Sequence, residues 1–305
     1  MQDIATIETV LGFITGAILF VLAIARLSYF LGTLKAKRAV RKLQNSNDES
    51  VFSGPFTRQD FLASLQNYIM PDCSQSDPSD NSDLRYVASV REPVFDSVDR
   101  YFDDSATNKY LMILADSGMG KTSFCLNYFT YRNRKSREEN YTAIVSLSNP
   151  YNLAQLNKIR NKRDTVLIID ALDEDAKAIH DFNERFTEIM LATKDFRGIL
   201  ITCRSQFFER KDMVPSDTGI ALFIPRRGGQ IGTYRINQLY LVPFNQKQID
   251  KYLRRSFSKF TLFSVFHKRA AKKLVERIPE LSVRPMLLEL LPDLIRDEQN
   301  GKRSL

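Results

Sequence analysis

One short glycine-containing segment has the residue types and the spacing of a phosphate-binding loop. It directly follows the apolar run YLMILA and fits the pattern GxxxxGK[ST], with alanine in place of the first glycine. Glycines allow backbone N–H groups to curl around a phosphate, and a helix that begins at the loop adds the positive end of its dipole. The candidate nucleotide-binding residues are therefore Ala115, Asp116, Ser117, Gly118, Met119, Gly120, Lys121, Thr122 and Ser123.

Three positions of this segment have specific expected properties. In the phosphate-loop pattern, Lys121 reaches the β- and γ-phosphates of ATP, and the Thr122 hydroxyl binds Mg²⁺. Ala115 replaces the usual glycine, which is acceptable only where the backbone stays outside the conformations reserved for glycine. We expect ordinary backbone angles at Ala115 and predict that the loop binds ATP with Mg²⁺.

A second group of candidates is acidic. Asp170 ends the apolar run VLIID, forty-nine residues after Lys121, and Asp173 and Glu174 follow closely. A carboxylate at the tip of a buried strand beside the loop can help to hold Mg²⁺, usually through water. Asp170 is thus the second candidate metal-binding residue, with Thr122, and Asp173 or Glu174 is a candidate for orienting an attacking water. The alternative is an acidic helix cap after a core strand.

The run GILITC continues into an arginine and predicts a further strand. Its tip presents Thr202 and Arg204, and polar side chains at such a place can sense the γ-phosphate of a bound nucleotide. An arginine at a strand end can equally be a solvated surface charge. The residues alone leave both interpretations of Arg204 open.

The elements that must position these residues alternate along the chain after Tyr86. Short apolar runs that favour strands alternate with amphipathic stretches that favour helices, among them LAQLNKIRNK. Such alternation is typical of a mostly parallel sheet flanked by helices. From Phe244 onward the patterns are helical, which predicts a C-terminal helical lid subdomain. The predicted fold class is α/β: the parallel sheet of a P-loop NTPase with this lid and an N-terminal transmembrane helix.

The region before this core has the composition of a connecting segment. Polar stretches at 44–49 and 71–83 predict flexible linkers, and between them FTRQDFLASLQNYIM predicts a short docking helix. The predicted domains are a transmembrane anchor at 1–34, a linker with a short helix at 35–84, the NTPase core at 85–243 and the helical lid at 244–305.

An apolar run near the N-terminus has the length of a membrane span. Residues 9–31 carry one charge, Arg26, and as a helix would be about 34 Å long, enough to cross a hydrocarbon core of about 30 Å. Acidic residues precede the run, whereas five basic residues follow within 35–42. We therefore expect a single-pass protein of the cell membrane, with its N-terminus outside and the NTPase domain cytoplasmic. A signal peptide, which would lack its basic n-region, and a buried or interfacial helix are the alternatives.

Composition limits the remaining classes of function. With 305 residues, 43% of them hydrophobic, the chain can bury a sizeable core. Three cysteines and two histidines exclude a zinc cluster and a disulfide framework. The net charge of +8 permits an anionic partner. The basic clusters at 132–137 and 268–273 fit solvated helix faces, so a nucleic-acid partner is not favoured.

Five segments together resemble the NACHT-type signature within the STAND class of regulatory NTPases. They occur in order between Tyr86 and Ile295 and read DSGMGKTSF, LIIDALDED, ILITCRSQF, LYLVPFNQKQIDKYL and LSVRPMLLELL. The resemblance implies that Arg204 is a sensor arginine, that Pro285 is a lid proline touching adenine, and that residues 86–93 pass near the base. The chain departs from the family at Ala115 and ends before the winged-helix and sensor repeats that members usually carry.

These patterns together predict a membrane-anchored NACHT-like NTPase that acts as a nucleotide-dependent switch in signalling or defence. We expect it to bind ATP and ADP, to hydrolyse ATP slowly, to form a homo-oligomer and to contact the lipid bilayer through residues 9–31. Two alternatives stay open. One is an AAA+-like ATPase that acts on nucleic acid, and the other is a non-hydrolysing membrane scaffold in which Ala115 has abolished nucleotide binding.

Overall fold

The structure, a computed structural model, describes residues 55–78, 91–103, 109–135, 141–208, 221–223, 232–234, 236–257 and 262–301. The predicted membrane segment at 9–31 and the linker predicted at 44–49 lie outside these residues. Within the described ranges, no helix is both long and apolar enough to cross a membrane. The membrane anchor and its orientation therefore stay predictions.

A seven-stranded sheet lies at the centre of the described structure. The strands, in chain order, are β1 (Asp72–Ser74), β2 (Glu92–Pro93), β3 (Tyr110–Ala115), β4 (Tyr141–Ser146), β5 (Thr165–Asp170), β6 (Gly198–Arg204), β7 (Ala221–Phe223), β8 (Gly232–Tyr234) and β9 (Ile236–Leu241). Their order across the main sheet is β2-β1-β9-β3-β6-β5-β4, and β7 pairs separately with β8. From β9 to β4 the strands are parallel, whereas β1 and β2 add an antiparallel edge. The predicted mostly parallel α/β sheet is confirmed.

Helices cover both faces of this sheet. In chain order they are α1 (Arg58–Gln66), α2 (Val94–Asp103), α3 (Lys121–Lys135), α4 (Ala176–His180), α5 (Phe182–Thr193), α6 (Gln246–Ser256), α7 (Leu262–Arg277), α8 (Pro279–Ser282) and α9 (Pro285–Gly301). Side chains of α1, α2 and α3 pack on one face, and those of α4 and α5 pack on the other. Strands β3 and β5 are buried along their whole length, as expected of strands covered on both faces.

The C-terminal helices have a hydrophobic cluster of their own. Helices α6 to α9, which we call the lid, pack around buried side chains of α6, α7 and α9. The same cluster includes Ile69 and Phe244, which precede β1 and α6. The lid is therefore joined to the core by apolar contacts at its base.

The prediction of a flexible linker at 71–83 is wrong for its first residues. Instead of a linker, these residues form β1, in which Cys73 pairs with Leu241 of β9 and with Glu92 of β2. The Cys73 side chain is buried in the core. A strand of three residues is too short to show the alternation by which strands are recognised in a sequence.

Two helical predictions have different outcomes. The helix predicted within FTRQDFLASLQNYIM is α1, which begins with reciprocal capping hydrogen bonds between Thr57 and Asp60. The stretch LAQLNKIRNK, predicted as an α-helix, instead lies in the 3₁₀ helix Pro150–Lys158 and the residues after it. Leu156 is buried within this helix, and Ile159 is buried just after its end.

A buried ion pair stabilises the chain just after the acidic residues that follow β5. The Asp175 carboxylate lies 2.6 Å from Nε of Arg185, and both side chains are almost completely buried. The same carboxylate accepts a hydrogen bond from the Lys177 backbone N–H and so caps α4. Glu188 extends the pair through a contact of 2.6 Å with Nη1 of Arg185. Helices α4 and α5 thereby hold the turn after β5 in place.

We expect Arg185→Met to lower the free energy of unfolding by about 3–5 kcal/mol, because Asp175 would stay buried without its partner. The matched control is Lys177→Met, which removes a more exposed ion pair to Glu188. The control should change the stability by less than about 1 kcal/mol. Urea denaturation followed by circular dichroism measures both variants. Equal losses would show that Asp175 does not depend on Arg185.

Candidate functional site

A cleft of about 750 Å³ opens at the carboxyl edge of the parallel sheet. The loop between β3 and α3, the ends of β5 and β6 and the start of α9 all line it. Its volume falls in the range of pockets that bind small molecules. It brings together these candidate residues: Ser117, Gly118, Met119, Gly120, Lys121, Thr122, Ser123, Asp170, Asp173, Glu174, Arg204 and Pro285. Ala115, at the end of β3, and Asp116 precede them in the chain and do not line the cleft.

Two glycines determine the shape of the loop. Gly118 and Gly120 have φ angles of 77° and 81°, left-handed values that favour glycine. A Cβ atom on Gly118 would stand 3.3 Å from Cβ of Met286, which is a tight approach. The loop then enters α3 directly, with Lys121 as the first helical residue. Exposed N–H groups and the helix dipole make such a place favourable for an anion.

Ala115 lies at the end of β3, before the loop leaves the sheet. It pairs with Arg204 of β6, and its side chain is buried. Among the described residues other than glycine, a positive φ occurs at Ala171 and not at Ala115. The expectation of ordinary backbone angles at Ala115 is confirmed. The methyl group therefore replaces glycine at a point where glycine's conformational freedom is not needed.

The Lys121 ammonium turns back onto its own loop. Its Nζ donates hydrogen bonds to the backbone carbonyls of Ala115 at 3.2 Å and Asp116 at 3.4 Å. Burial lowers the pKa of Lys121, the positive charge of Arg204 lowers it further, and the carboxylate of Asp173 acts in the opposite direction. A partly buried cation held by neutral carbonyls is well placed to exchange them for phosphate oxygens.

Asp170 ends β5 with a side chain that is held from two sides. The residue is only 2% exposed. Its Oδ1 accepts a hydrogen bond of 2.6 Å from the Thr202 hydroxyl and one of 3.5 Å from the Cys125 thiol. The Thr202 oxygen accepts in turn from the Ala171 backbone N–H. Burial raises the pKa of the Cys125 thiol well above its ordinary value, so the thiol stays protonated and donates. The sequence pattern does not single out Cys125.

The loop, the helix after it and the buried carboxylate belong to one arrangement. β3 runs into two left-handed glycines and then into α3, and a neighbouring strand end presents Asp170 beside them. The fold is that of a P-loop NTPase. In the sheet, β6 lies between β3, which leads into the P-loop, and β5, which ends at Asp170. The tip of β6 therefore lines the same cleft.

Arg204 is anchored to the two acidic residues after β5. Its Nε lies 2.7 Å from Oδ2 of Asp173, and its backbone N–H donates to Oδ1 of the same carboxylate at 3.0 Å. The Asp173 side chain is only 4% exposed, whereas the Glu174 side chain is 50% exposed and 3.4 Å from Nη2 of Arg204. Arg204 therefore occupies both oxygens of Asp173 and leaves Glu174 more accessible. These contacts disfavour the reading of Arg204 as an isolated solvated charge.

A strained residue shapes the turn between β5 and these acids. Ala171 has φ of 63° and ψ of 50°, a left-handed conformation that alanine rarely adopts. Its N–H is bound by Thr202, and the following 3₁₀ helix Leu172–Glu174 begins at once. The turn thereby directs Asp173 back toward β6. A small residue after the aspartate is the only sign of this turn in the sequence.

The start of α9 touches the P-loop at three consecutive residues. The Met286 backbone N–H donates to the Gly118 carbonyl at 3.1 Å. Pro285 lies 3.9 Å from the position of a Cβ on Gly120. Before them, Nη2 of Arg284 lies 3.8 Å from the carboxylate of Asp116. Pro285 is thus placed at the cleft, and its contact with adenine stays a prediction.

The cleft also has an apolar side that the motifs did not indicate. Tyr68 and Ile69, after α1, line it together with Phe244 and Tyr252 at the base of the lid. Residues 86–93 are predicted to pass near the base; 86–90 lie outside the described ranges, and 91–93 do not line the cleft. The aromatic and aliphatic surface here comes from segments far apart in the chain, which no single motif records.

Binding of Mg²⁺ in this cleft would depend partly on the nucleotide. In the described part of the chain, no three acidic, histidine or cysteine side chains are grouped to hold a metal ion. Thr122 and Asp170 both line the cleft, and their oxygens are the donors that Mg²⁺ prefers. Because Mg²⁺ usually keeps waters and substrate phosphates as ligands, two protein oxygens fit such a site.

No protein-family model matches the sequence, and no curated protein matches it significantly. Among solved structures, the chain is similar to RuvB of Thermotoga maritima, a Holliday junction branch migration motor, with 11% identity over 66% of this chain and 68% of that chain and a TM-score of 0.32. It is similar to domain III of the replication initiation protein DnaA of the same species, with 14% identity, 68% and 85% coverage and a TM-score of 0.36. PCH-2 of C. elegans matches with 12% identity, 74% and 53% coverage and a TM-score of 0.33. The fold assignment rests on the P-loop geometry, and the NACHT-type resemblance stays a prediction.

Replacement of Ala115 and of Ala171 by glycine should change the free energy of unfolding in opposite directions. We expect Ala171→Gly to raise the free energy of unfolding by about 0.5–1 kcal/mol, because it relieves a left-handed alanine. The matched control, Ala115→Gly, should lower it by about 0.5–1 kcal/mol, because glycine in a strand loses more conformational entropy. Thermal or urea denaturation measures both. A stability gain from Ala115→Gly would contradict the ordinary backbone described for that residue.

Proposed function

We propose that this protein binds ATP with Mg²⁺ in the cleft and hydrolyses it slowly, as a nucleotide-dependent switch. The observation that carries the proposal is the convergence of Lys121, Asp170, Glu174 and Arg204 on one cleft beside a left-handed glycine loop. Each of these residue types has a distinct use in phosphate chemistry, and each comes from a different part of the site. Side chains that were only solvated surface charges would have no reason to lie together in one cleft.

The triphosphate would lie along the P-loop. Backbone N–H groups at the start of α3 would bind phosphate oxygens, and Lys121 would exchange the carbonyls of Ala115 and Asp116 for the β- and γ-phosphates. Thr122 and Asp170 would hold Mg²⁺. The bound ion would neutralise charge on the phosphates. The hydrogen bonds from Thr202 and Cys125 keep the Asp170 carboxylate oriented toward this position.

The two acids after β5 would have different roles in hydrolysis. Glu174 is exposed in the cleft and would accept a hydrogen bond from the attacking water. Asp173 is buried and bound at both oxygens, so it would position Arg204 instead. Arg204 would then interact with the γ-phosphate from the tip of β6. The geometry thus favours Glu174 over Asp173 as the water-orienting residue, a choice that the sequence left open.

The switch function is supported by the contact between the lid and the P-loop. The carbonyl of Gly118 belongs to the loop that would surround the phosphates, and it accepts a hydrogen bond from Met286 of the lid. Occupation of the loop and the position of the lid can therefore influence each other. The resemblance to NACHT-type NTPases supports a signalling or defence role with homo-oligomers. The apolar run at 9–31 supports an anchor in the cell membrane.

Replacement of the P-loop lysine tests nucleotide binding. We expect Lys121→Ala to weaken ATP binding by about 10- to 100-fold, because it removes a charge-assisted contact to the phosphates. The control is Lys194→Ala, which removes an exposed lysine outside the cleft. Isothermal titration calorimetry with and without Mg²⁺ measures the affinity. A parent protein that binds no ATP would favour the scaffold alternative, and equal affinity in Lys121→Ala would overturn the P-loop assignment.

A pair of conservative substitutions separates the roles of the two acids. Glu174→Gln should retain ATP binding and slow hydrolysis by about 100-fold or more, with little change in stability, because its carboxylate is exposed. Asp173→Asn should lower the free energy of unfolding by about 1.5–3 kcal/mol, because it breaks the buried pairing with Arg204. Phosphate release and urea denaturation measure the two effects. Unchanged hydrolysis in Glu174→Gln would assign the water-orienting role elsewhere.

A further inference from the structure

The positive charge of this chain is concentrated in its C-terminal part. Residues 244–305 contain fourteen lysines and arginines but seven aspartates and glutamates, a net charge of +7 out of +8 for the whole chain. These residues make up about a fifth of the sequence. The rest of the chain is therefore almost neutral, although it contains the predicted basic flank at 35–42.

Helix α6 places its positive charges on the face turned away from the lid cluster. Ile249 and Leu253 are buried against α7 and α9, and they lie on the opposite side of α6 from the lysines. The exposed cations on this helix are Lys247, Lys251, Arg254 and Arg255, of which Arg255 donates a hydrogen bond to the Tyr68 carbonyl. Asp250 is the acidic residue of α6, and it accepts a hydrogen bond from Gln246. The outer face of α6 is therefore predominantly positive.

Helix α7 repeats this arrangement with more charges. Ala271 and Val275 are buried in the lid cluster. The exposed cations on the other side of the helix are Lys268, Arg269, Lys272, Lys273 and Arg277. Glu276 is the exposed acid among them. Arg255 has a partner, whereas within the described ranges none of the other cations of α6 and α7 named here forms an ion pair. We call the eight residues other than Arg255 the cationic lid surface.

We propose that the cationic lid surface binds the headgroups of an anionic lipid bilayer. Long, unpaired lysine and arginine side chains on helices gain free energy near such a surface without any shaped pocket. The acidic lid residues Glu289 and Asp293 lie on α9, and Glu289 lines the nucleotide cleft, so they belong to a different side of the lid. The proposal does not depend on nucleotide binding.

Two observations favour a bilayer over a nucleic acid as the partner. Single-stranded nucleic acids commonly stack on exposed aromatic rings, and among the lid side chains described at 246–257, 268–279 and 282–295 no aromatic ring is exposed. The apolar run at 9–31 with its basic flank would also keep the lid close to a membrane. A second basic surface near an anchor is the combination that holds a protein on an anionic leaflet.

Chemical labelling of lysines in the full-length protein tests the contact. The protein is reconstituted in nanodiscs of phosphatidylcholine alone or of phosphatidylcholine and phosphatidylserine at about 2:1. Mass spectrometry then gives the acylation rate of each lysine. We expect Lys247, Lys251, Lys268 and Lys272 to react about fivefold more slowly or more in the anionic discs, and to recover at about 0.5 M salt. The exposed core lysine Lys158 is the internal control and should not change.

Charge reversal on α7 then tests whether the surface acts as a unit. In Lys268→Glu/Lys272→Glu/Lys273→Glu, protection of the unaltered α6 lysines by anionic discs should be lost. The matched control, Lys158→Glu/Arg163→Glu/Lys194→Glu, changes the net charge equally on the exposed surface of the core and should retain the protection. Circular dichroism and urea denaturation, which should match the parent in both variants, show that each has folded. A failure of ATP binding in the parent would count against the proposed function and not against this surface.

Three results would overturn the proposal. Equal labelling of the lid lysines in neutral and anionic discs would show that the surface is merely solvated. Stronger protection of these lysines by a short DNA duplex than by the anionic discs would assign the surface to nucleic acid instead. Equal protection of Lys158 in anionic discs would likewise contradict a specific lid contact, since the effect would then follow overall charge.

Discussion

Parallel pairing of β3, β6 and β5 is the constraint on which the whole site depends. Parallel strands end at the same edge of a sheet, so the P-loop after β3 and the acids after β5 must meet there. The register refines this general rule, because Ala115 pairs with Arg204 and Ile169 pairs with Ile201. Asp170 therefore stands beside Thr202, one pair further along β5 and β6. A shift of one residue would place apolar side chains at the cleft instead.

Left-handed backbone conformations at three positions shape the cleft at this edge of the sheet. Gly118 and Gly120 bend the loop so that it can enter α3 directly, and Ala171 bends the chain after β5 so that Asp173 returns toward Arg204. The left-handed glycines carry no steric penalty, whereas the left-handed alanine does. Its strain is maintained by the surrounding contacts, namely the Thr202 hydroxyl at its N–H and the buried pair of Asp175 and Arg185 just beyond.

The lid connects this local geometry to the rest of the molecule. It contacts the P-loop through Arg284, Pro285 and Met286, and its buried cluster reaches Ile69 before β1. The segment around α1 therefore packs with both the core and the lid. The opposite, outward faces of α6 and α7 carry most of the chain's excess positive charge. The contact with the P-loop and the positively charged surface thus occupy different sides of the same lid.

Features that depend on local order along the chain could be predicted from the sequence. Motif spacing and hydrophobic periodicity are local properties of the chain. They predicted the P-loop, the aspartate that ends VLIID, the alternating strands and helices and the helical C-terminal part. Which of the two acids is more accessible depends instead on tertiary contacts. Asp173 and Glu174 are neighbours in sequence, and burial beside Arg204 separates them. The donors to Asp170, the β1 strand at Cys73 and the apolar side of the cleft likewise come from segments far apart in the chain, so no local pattern could record them.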